Sequence, residues 1–312
     1  MQELISIIVP CYNEQESLPL YYKAIIPVLE KIKVNYELIF VDDGSKDDTA
    51  KILKSYAGQD KHVRYVIFSR NFGKEAAMYA GLEASKGNYV AVMDADLQDP
   101  PEKLIEMYNI ISTGEYDCVA TRRVTRKGEP KIRSWFARKF YKLINKHTQT
   151  EIVDGARDYR LMTRKMVDSI LSLKEYNRFS KGIFSWVGFK TKWLEYENIE
   201  RVAGETKWSF KKLFAYAIEG IISFTLDPLY SIIKFGIFLM CFDFLAIITL
   251  VILHFTNVLV LVFSYWLILI VVLIFLTSVL LISLGTIALY QAKVYSEIKK
   301  RPIYITKEDN IN

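Results

Sequence analysis

The chain has 312 residues, 51% of them hydrophobic and 24% charged, with 41 Lys and Arg against 35 Asp and Glu for a net charge of +6. That much apolar surface excludes a disordered chain, because its burial can offset chain entropy. Cys11, Cys118 and Cys241 lie far apart with no CxxC spacing, which excludes a disulfide framework and a cysteine zinc site.

Residues 4–9 (Leu-Ile-Ser-Ile-Ile-Val) are too short for a secretory apolar region and run straight into Pro10. They read as a buried strand and not as a signal peptide. Residues 36–41, 63–68 and 89–93 read as the next strands, with segments of helical apolar spacing between them. This alternation predicts an α/β fold with a parallel, doubly wound sheet and ligands at the carboxyl ends of the strands. Polar motifs stand at those ends: Asp42-Asp43-Gly44-Ser45, Arg70-Asn71-Phe72-Gly73 and Asp94-Ala95-Asp96. Residues 120–205 are basic and aromatic and read as the acceptor half of the same catalytic domain.

The composition then changes. Residues 206–228 start basic, at Lys207, Lys211 and Lys212, and continue with apolar residues at helical spacing, which predicts an amphipathic helix in the membrane interface. Residues 229–254 and 258–290 are nearly all apolar, and roughly 20 such residues suffice to span a bilayer. A two-helix transmembrane hairpin is expected. Its turn lacks Lys and Arg, while Lys293, Lys299, Lys300 and Arg301 follow it. The charge bias puts both termini and the N-terminal domain in the cytoplasm of a two-span membrane protein. The expected division is residues 1–205 catalytic, 206–228 interfacial, 229–290 membrane and 291–312 cytoplasmic tail. Asp243 in the first span is costly in lipid and reads as facing another helix in an oligomer. The net positive charge suits lipid headgroups, and no nucleic-acid partner is expected.

The chemistry centres on Asp94-Ala95-Asp96. Two carboxylates at the end of a buried strand are costly unless a cation neutralises them. Mg²⁺ or Mn²⁺ shared with the oxygens of a diphosphate would do so. In Asp42-Asp43-Gly44-Ser45, glycine permits a tight turn, and an acidic group can bond a base or ribose.

Together, Pro10-Cys11-Tyr12-Asn13-Glu14, Asp42-Asp43-Gly44-Ser45, Arg70-Asn71-Phe72-Gly73-Lys74-Glu75 and Asp94-Ala95-Asp96-Leu97-Gln98-Asp99-Pro100 resemble family 2 glycosyltransferases. More narrowly, the chain is similar to those that glycosylate polyprenyl phosphates, the bactoprenol glucosyltransferase and dolichol-phosphate mannose synthase group. The resemblance covers essentially the whole chain. It implies a Rossmann-like GT-A domain in which Pro10, Tyr12, Glu14, Asp43, Lys74 and Asp94 serve the nucleotide sugar. Asp94, Asp96 and Gln98 would hold the metal, and Asp158, Asp96 and Arg160 would serve catalysis. Arg133, Arg201 and Lys207 would bind the lipid phosphate. It also implies inversion at the sugar and a homotetramer. The continuation Thr206-Lys207-Trp208-Ser209 departs from the commoner Ser-Lys-Tyr-Pro but retains the lysine.

The expected reaction is transfer of glucose from UDP-glucose to undecaprenyl phosphate for cell-envelope glycosylation. The alternatives are GDP-mannose or UDP-N-acetylglucosamine as donor, or a non-catalytic prenyl-phosphate-binding scaffold. A lipid phosphate has a second pKa of about 6, so it needs little help from a base. On that logic Asp158 orients a sugar hydroxyl or an arginine, or stabilises positive charge on the sugar.

Overall fold

A computed structural model describes residues 3–124, 153, 155–196, 227–255 and 262–311. The chain divides into two units, residues 1–220 with 301–312, and residues 221–300.

The first unit is built on β1 (Leu4–Cys11), α1 (Ser17–Ile32), β2 (Asn35–Asp42), α2 (Thr49–Gln59), β3 (Val63–Phe68), α3 (Lys74–Ala84) and β4 (Tyr89–Val92). It continues with α4 (Lys103–Ile111), β5 (Cys118–Arg123), β6 (Ala156–Thr163), α5 (Arg164–Ser172), α6 (Ser180–Trp186) and β7 (Thr191–Tyr196), and ends with β8 (Thr306–Asp309). The strands form one sheet in the order β7-β5-β6-β4-β1-β2-β3-β8.

The central strands are covered on both faces, which is why they read as unbroken apolar runs. Ile5, Ile7 and Val9 of β1 join a core with Leu18, Tyr21, Ile25 and Leu29 of α1. On the other face α3 comes very close, since a Cβ at Gly81 would stand 2.2 Å from Ile8 Cγ2. The alanines of α3, Ala76, Ala77 and Ala80, pack there with Ile39, Val41 and Phe68.

The all-parallel expectation holds for β4-β1-β2-β3 and fails on either side. β6 runs antiparallel to both β4 and β5. β5 therefore points the same way as β4 but leaves a gap, which β6 fills from the opposite direction. This matters for the chemistry, because the start of an antiparallel strand lies at the carboxyl end of its neighbours. The register pairs Val92 with Arg160. Two residues further along, Asp158 stands opposite Asp94.

β8 pairs antiparallel with β3, the outer strand of the parallel set. The segment read as a separate tail is thus part of the catalytic sheet.

The second unit consists of α7 (Asp227–Phe255) and α8 (Val262–Ile298). Among the described residues, Val272–Ile298 is the stretch long and apolar enough to cross a membrane. The helix passes the sequence boundary at residue 290. Phe238, Leu245, Ile274 and Ile282 are each more than 60% exposed, a surface unlike that of a water-soluble helix pair. Arg133, Arg201, Lys207, residues 206–226 of the expected interfacial helix, the hairpin turn at 256–257 and the side chain of Asp243 lie outside the described residues.

Candidate active site

The carboxyl ends of β1 and β2 carry two turns stitched together by side-chain hydrogen bonds. Asn13 N–H donates to Ser45 Oγ at 2.8 Å, and Lys46 N–H donates to Asn13 Oδ1 at 2.8 Å. Glu14 N–H donates to Thr49 Oγ1 at 2.9 Å. Asn13 adopts a left-handed backbone, φ 51°, and asparagine tolerates it better than most residues. The Glu14 carboxylate accepts from the Ser17 hydroxyl, and its carbonyl accepts from the Ser17 and Leu18 amides at the start of α1. Pro10 and Tyr12 flank these contacts, both half-buried.

Asp42 and Asp43 divide the next task. The buried Asp42 carboxylate accepts from the Ser45 amide at 3.1 Å and from its hydroxyl. Asp43, 4% exposed, accepts from Phe72 N–H at 2.6 Å and Gly73 N–H at 3.0 Å. Burial pushes the Asp43 carboxyl up to about 6, against the pull of those amides. Asp43 therefore holds the 70–73 loop as well as lying where the resemblance puts the base and ribose.

Gly44 makes this approach possible. Its φ is +66°, and a Cβ there would fall 2.4 Å from the Arg70 carbonyl carbon. Gly44→Ala is expected to destabilise the domain by at least about 1–3 kcal/mol from backbone strain alone, and to weaken nucleotide binding by pushing the two loops apart. Thermal melts with and without nucleotide check both effects.

The acidic centre follows β4. Asp94 is half-buried, Asp96 is 5% exposed and Gln98 is half-buried. Between the last two, Leu97 sits in the left-handed region at φ 55°. A branched residue pays about 1–2 kcal/mol for that conformation, and such strain collects at functional sites. The Gln98 amide donates to Asp96 Oδ1 at 3.2 Å.

Lys74, the first residue of α3, reaches from the 70–73 loop into this centre. Its Nζ lies 2.7 Å from Asp94 Oδ1 and 2.6 Å from Asp158 Oδ2. Burial alone would favour neutral lysine, but Asp158 and Asp94 raise its pKa further above the ordinary value. Burial likewise pushes Asp158 up, yet the charges of Lys74, Lys181 and Arg160 outweigh it and hold the carboxyl well below the usual range. Asp158 is thus a fixed anion at neutral pH.

Arg160, expected to serve catalysis, lies buried close to Asp158. It is 3% exposed, and its guanidinium donates to the carbonyl of Arg157 at 2.9 Å and stacks 3.7 Å from the Phe184 ring centroid. Burial lowers its pKa. It shapes the start of β6 from within, and its charge also helps to hold Asp158 ionised.

Arg157, which the sequence reading left without a role, is the arginine joined to the acidic motif. Its Nε donates to Asp99 Oδ1 at 3.1 Å, and it approaches Gln98 Oε1 at 3.4 Å. Asp99 also accepts from the Tyr196 hydroxyl, while its Oδ2 is buried without a hydrogen-bond partner among the described residues. Glu75 was missed too. Its carboxylate accepts from Ser180 N–H at 2.9 Å and from the Ser180 hydroxyl, fixing the start of α6, whose Lys181 faces Asp158 electrostatically. Burial raises the Glu75 carboxyl to about 7. The available signal for Glu75 was its position beside Lys74, just ahead of the uncharged run of residues 76–82. Arg157 and Asp99 needed the β6 register to be seen as partners.

The donors gathered here are two carboxylates and a carboxamide, all hard oxygen ligands that suit Mg²⁺ or Mn²⁺. Among the described residues no group of three or more His, Cys, Asp or Glu could hold a metal ion by itself. The set fits an ion that takes its other ligands from phosphate and water.

Comparison with known proteins identifies the family. Residues 6–171 match the model of glycosyl transferase family 2. The putative glycosyltransferase CsbB of Bacillus subtilis is 44% identical over 310 residues, 99% of this chain and 93% of that protein. The SfII prophage-derived bactoprenol glucosyl transferase of Shigella flexneri is 38% identical over 310 residues, 98% of each chain. Glucosyl-3-phosphoglycerate synthase from Mycobacterium tuberculosis, solved with Mn²⁺, UDP-glucose and phosphoglyceric acid, superposes with a TM-score of 0.49 at 19% identity, covering 70% of this chain and 78% of that one. With the family match spanning the sheet from β1 to α5, and relatives aligned end to end, this chain belongs to glycosyl transferase family 2 and is a glycosyltransferase.

Proposed function

We propose that the protein transfers glucose from UDP-glucose to undecaprenyl phosphate at the cytoplasmic face of a membrane, with inversion at the sugar. The observation that carries the reading is the meeting of Asp94, Lys74 and Asp158 at the carboxyl end of β4, beside the start of β6. Relatives named bactoprenol glucosyl transferases match along nearly their whole length, the apolar C-terminal segment included, which supports the lipid acceptor.

In this reading Pro10, Tyr12, Glu14 and Asp43 line the base and ribose pocket. Asp94, Asp96 and Gln98 would hold Mg²⁺ or Mn²⁺. Such an ion, when bound, neutralises charge on the departing nucleoside diphosphate. Lys74 ties the donor side at Asp94 to the reacting side at Asp158. A prenyl phosphate is mostly dianionic at neutral pH, its second pKa being about 6, and attacks without losing a proton. An Asp158 held far below neutrality is a poor proton acceptor. It acts by orienting the sugar and by opposing positive charge that develops on it. Arg201 and Lys207 are assigned to the lipid phosphate on the resemblance, and Arg133 because an anionic acceptor calls for cations.

The membrane arrangement is a two-span hairpin with both ends cytoplasmic. One feature of the first unit supports an even number of crossings. β8 follows the apolar unit in sequence yet belongs to the same sheet as β1, β2 and β3. That pairing supports a chain that leaves and re-enters on one side of the bilayer. The homotetramer implied by the resemblance is tested by light scattering of the detergent-solubilised protein.

The deciding experiment incubates the purified protein with undecaprenyl phosphate, Mn²⁺ or Mg²⁺, and separately UDP-glucose, UDP-N-acetylglucosamine, UDP-galactose and GDP-mannose, with mass spectrometry of the lipid. Glucosyl phosphoundecaprenol from UDP-glucose alone, abolished by EDTA, is expected. Product from another donor would reassign the sugar. Lipid binding without turnover on any donor would favour the scaffold reading.

A further inference from the structure

β8 and the residues around it do more than complete a sheet. Tyr304 stacks on Phe68 at the end of β3, with ring centroids 4.9 Å apart and planes 20° from parallel. Its hydroxyl donates to Glu83 near the end of α3 at 2.6 Å. Ile303, Tyr304 and Ile311 pack against the cluster formed by Phe68 with Ala76, Ala77 and Ala80. The tail thus bridges β3 and α3, the two elements between which the 70–73 loop is strung.

The loop itself is held from the same side. Ser69 N–H donates to the carbonyl of Ile305 at 3.0 Å. Phe68 meets Phe72 edge to face, with centroids 5.7 Å apart. The amide of Phe72 is the one that donates to Asp43 at 2.6 Å, and Lys74 follows two residues later. A short run of contacts therefore leads from Tyr304 through Phe68 and Phe72 to Asp43, and along α3 to Lys74.

The geometry points to Tyr304 as a positioning residue of the nucleotide-sugar pocket: the segment that follows the membrane unit braces the Arg70–Gly73 loop so that Asp43 and Lys74 face the donor. This rests on the assignment of Asp43 and Lys74 to the donor side. Stacked aromatic pairs contribute beyond the area they bury. The brace also arrives at the end of a long-range strand pairing and is not a local property of the loop. Its loss should loosen donor binding while leaving the acceptor and the chemical step alone.

The test uses the full-length protein in detergent and compares Tyr304→Ala, Tyr304→Phe and Glu308→Ala. Glu308 contacts Lys54 and Tyr65 on the exposed side of β8, away from the loop, and serves as the control. Steady-state kinetics with varied nucleotide sugar and varied polyprenyl phosphate are read together with calorimetric titration of UDP and of GDP. Tyr304→Ala is expected to raise donor KM and the Kd of the nucleotide about five- to tenfold. Its kcat and acceptor KM should stay within twofold. Tyr304→Phe keeps the stack and should recover most of the loss, and Glu308→Ala should leave donor KM unchanged. Reversible unfolding would raise the apparent donor and acceptor constants together, so an unchanged acceptor KM separates loss of the brace from loss of stability.

An unchanged donor KM and nucleotide Kd in Tyr304→Ala, with only a lower melting temperature, would overturn the inference. So would a change confined to the acceptor KM. Wild-type protein that binds neither UDP nor GDP would instead overturn the donor-pocket assignment on which it rests.

Discussion

Asp96→Asn is expected to lower kcat for glycolipid formation about a thousandfold, or ~4 kcal/mol of transition-state stabilisation. Asparagine has the same size and keeps the Oδ1 that accepts from the Gln98 amide at 3.2 Å. The left-handed turn at Leu97 should survive, so the melting temperature should hold. What disappears is a negative charge on a residue only 5% exposed, next to Asp94 and facing the site assigned to the diphosphate. A cation shared between two carboxylates and a phosphate loses much of its affinity when one carboxylate becomes an amide. Mn²⁺ titration of the variant in the presence of UDP should show the weaker site directly. A kcat within tenfold of wild type at saturating metal would remove Asp96 from the metal assignment.

The second large effect is structural. Arg157→Leu is expected to destabilise the catalytic domain by about 3–5 kcal/mol, the usual result of stripping one partner from a buried ion pair. For a domain of this size that corresponds to a fall in Tm of about 6–20 °C. The argument rests on asymmetry of burial. Asp99 is 1% exposed and keeps only the Tyr196 hydroxyl once Arg157 is gone, whereas the Arg157 side chain is 24% exposed and can find water. Asp99→Leu should therefore cost less than Arg157→Leu. The double variant should recover part of the loss, because two apolar groups leave no uncompensated charge. Equal and additive effects of the two changes would show that the pair does not act as a unit. Activity should fall in both single variants, since Arg157 also approaches Gln98 and lies in the field of Asp94.

Much of the sheet was legible from residue order. The run at β1 is apolar on both faces, which only a doubly covered strand requires, and β3 occupies the very residues expected of it, Val63–Phe68. The acidic motif was readable because two carboxylates at a strand end demand an explanation in local chemistry alone. Asp158 was singled out by resemblance, and the reason it lies close to Asp94 was not visible. That reason is the antiparallel register of β6 on β4, a long-range pairing that leaves no mark on the hydrophobic period. The strand Thr-Lys-Glu-Asp at 306–309 was still less legible. It carries no apolar alternation, and what holds it is backbone pairing with a distant edge and contacts from Tyr304 and Asn310 outside the strand itself. Arg160 was expected to serve catalysis. Its burial beneath Phe184 could be learned only from α6.

The place of β8 has a consequence for how the molecule is made. Tyr65 and Glu308, which touch across the outer pair of strands, are 243 residues apart in the chain. At about 5–20 residues per second, synthesis of that interval takes on the order of tens of seconds. Through all of it β3 presents an unpaired edge, the kind of surface that invites pairing with another chain. Residues 306–309 close it, and only after the apolar unit, residues 221–300, has been synthesised. Completion of the sheet in this way waits on synthesis of the apolar unit. A nascent chain stalled before residue 303 would carry every acidic residue of the centre and still lack its finished fold.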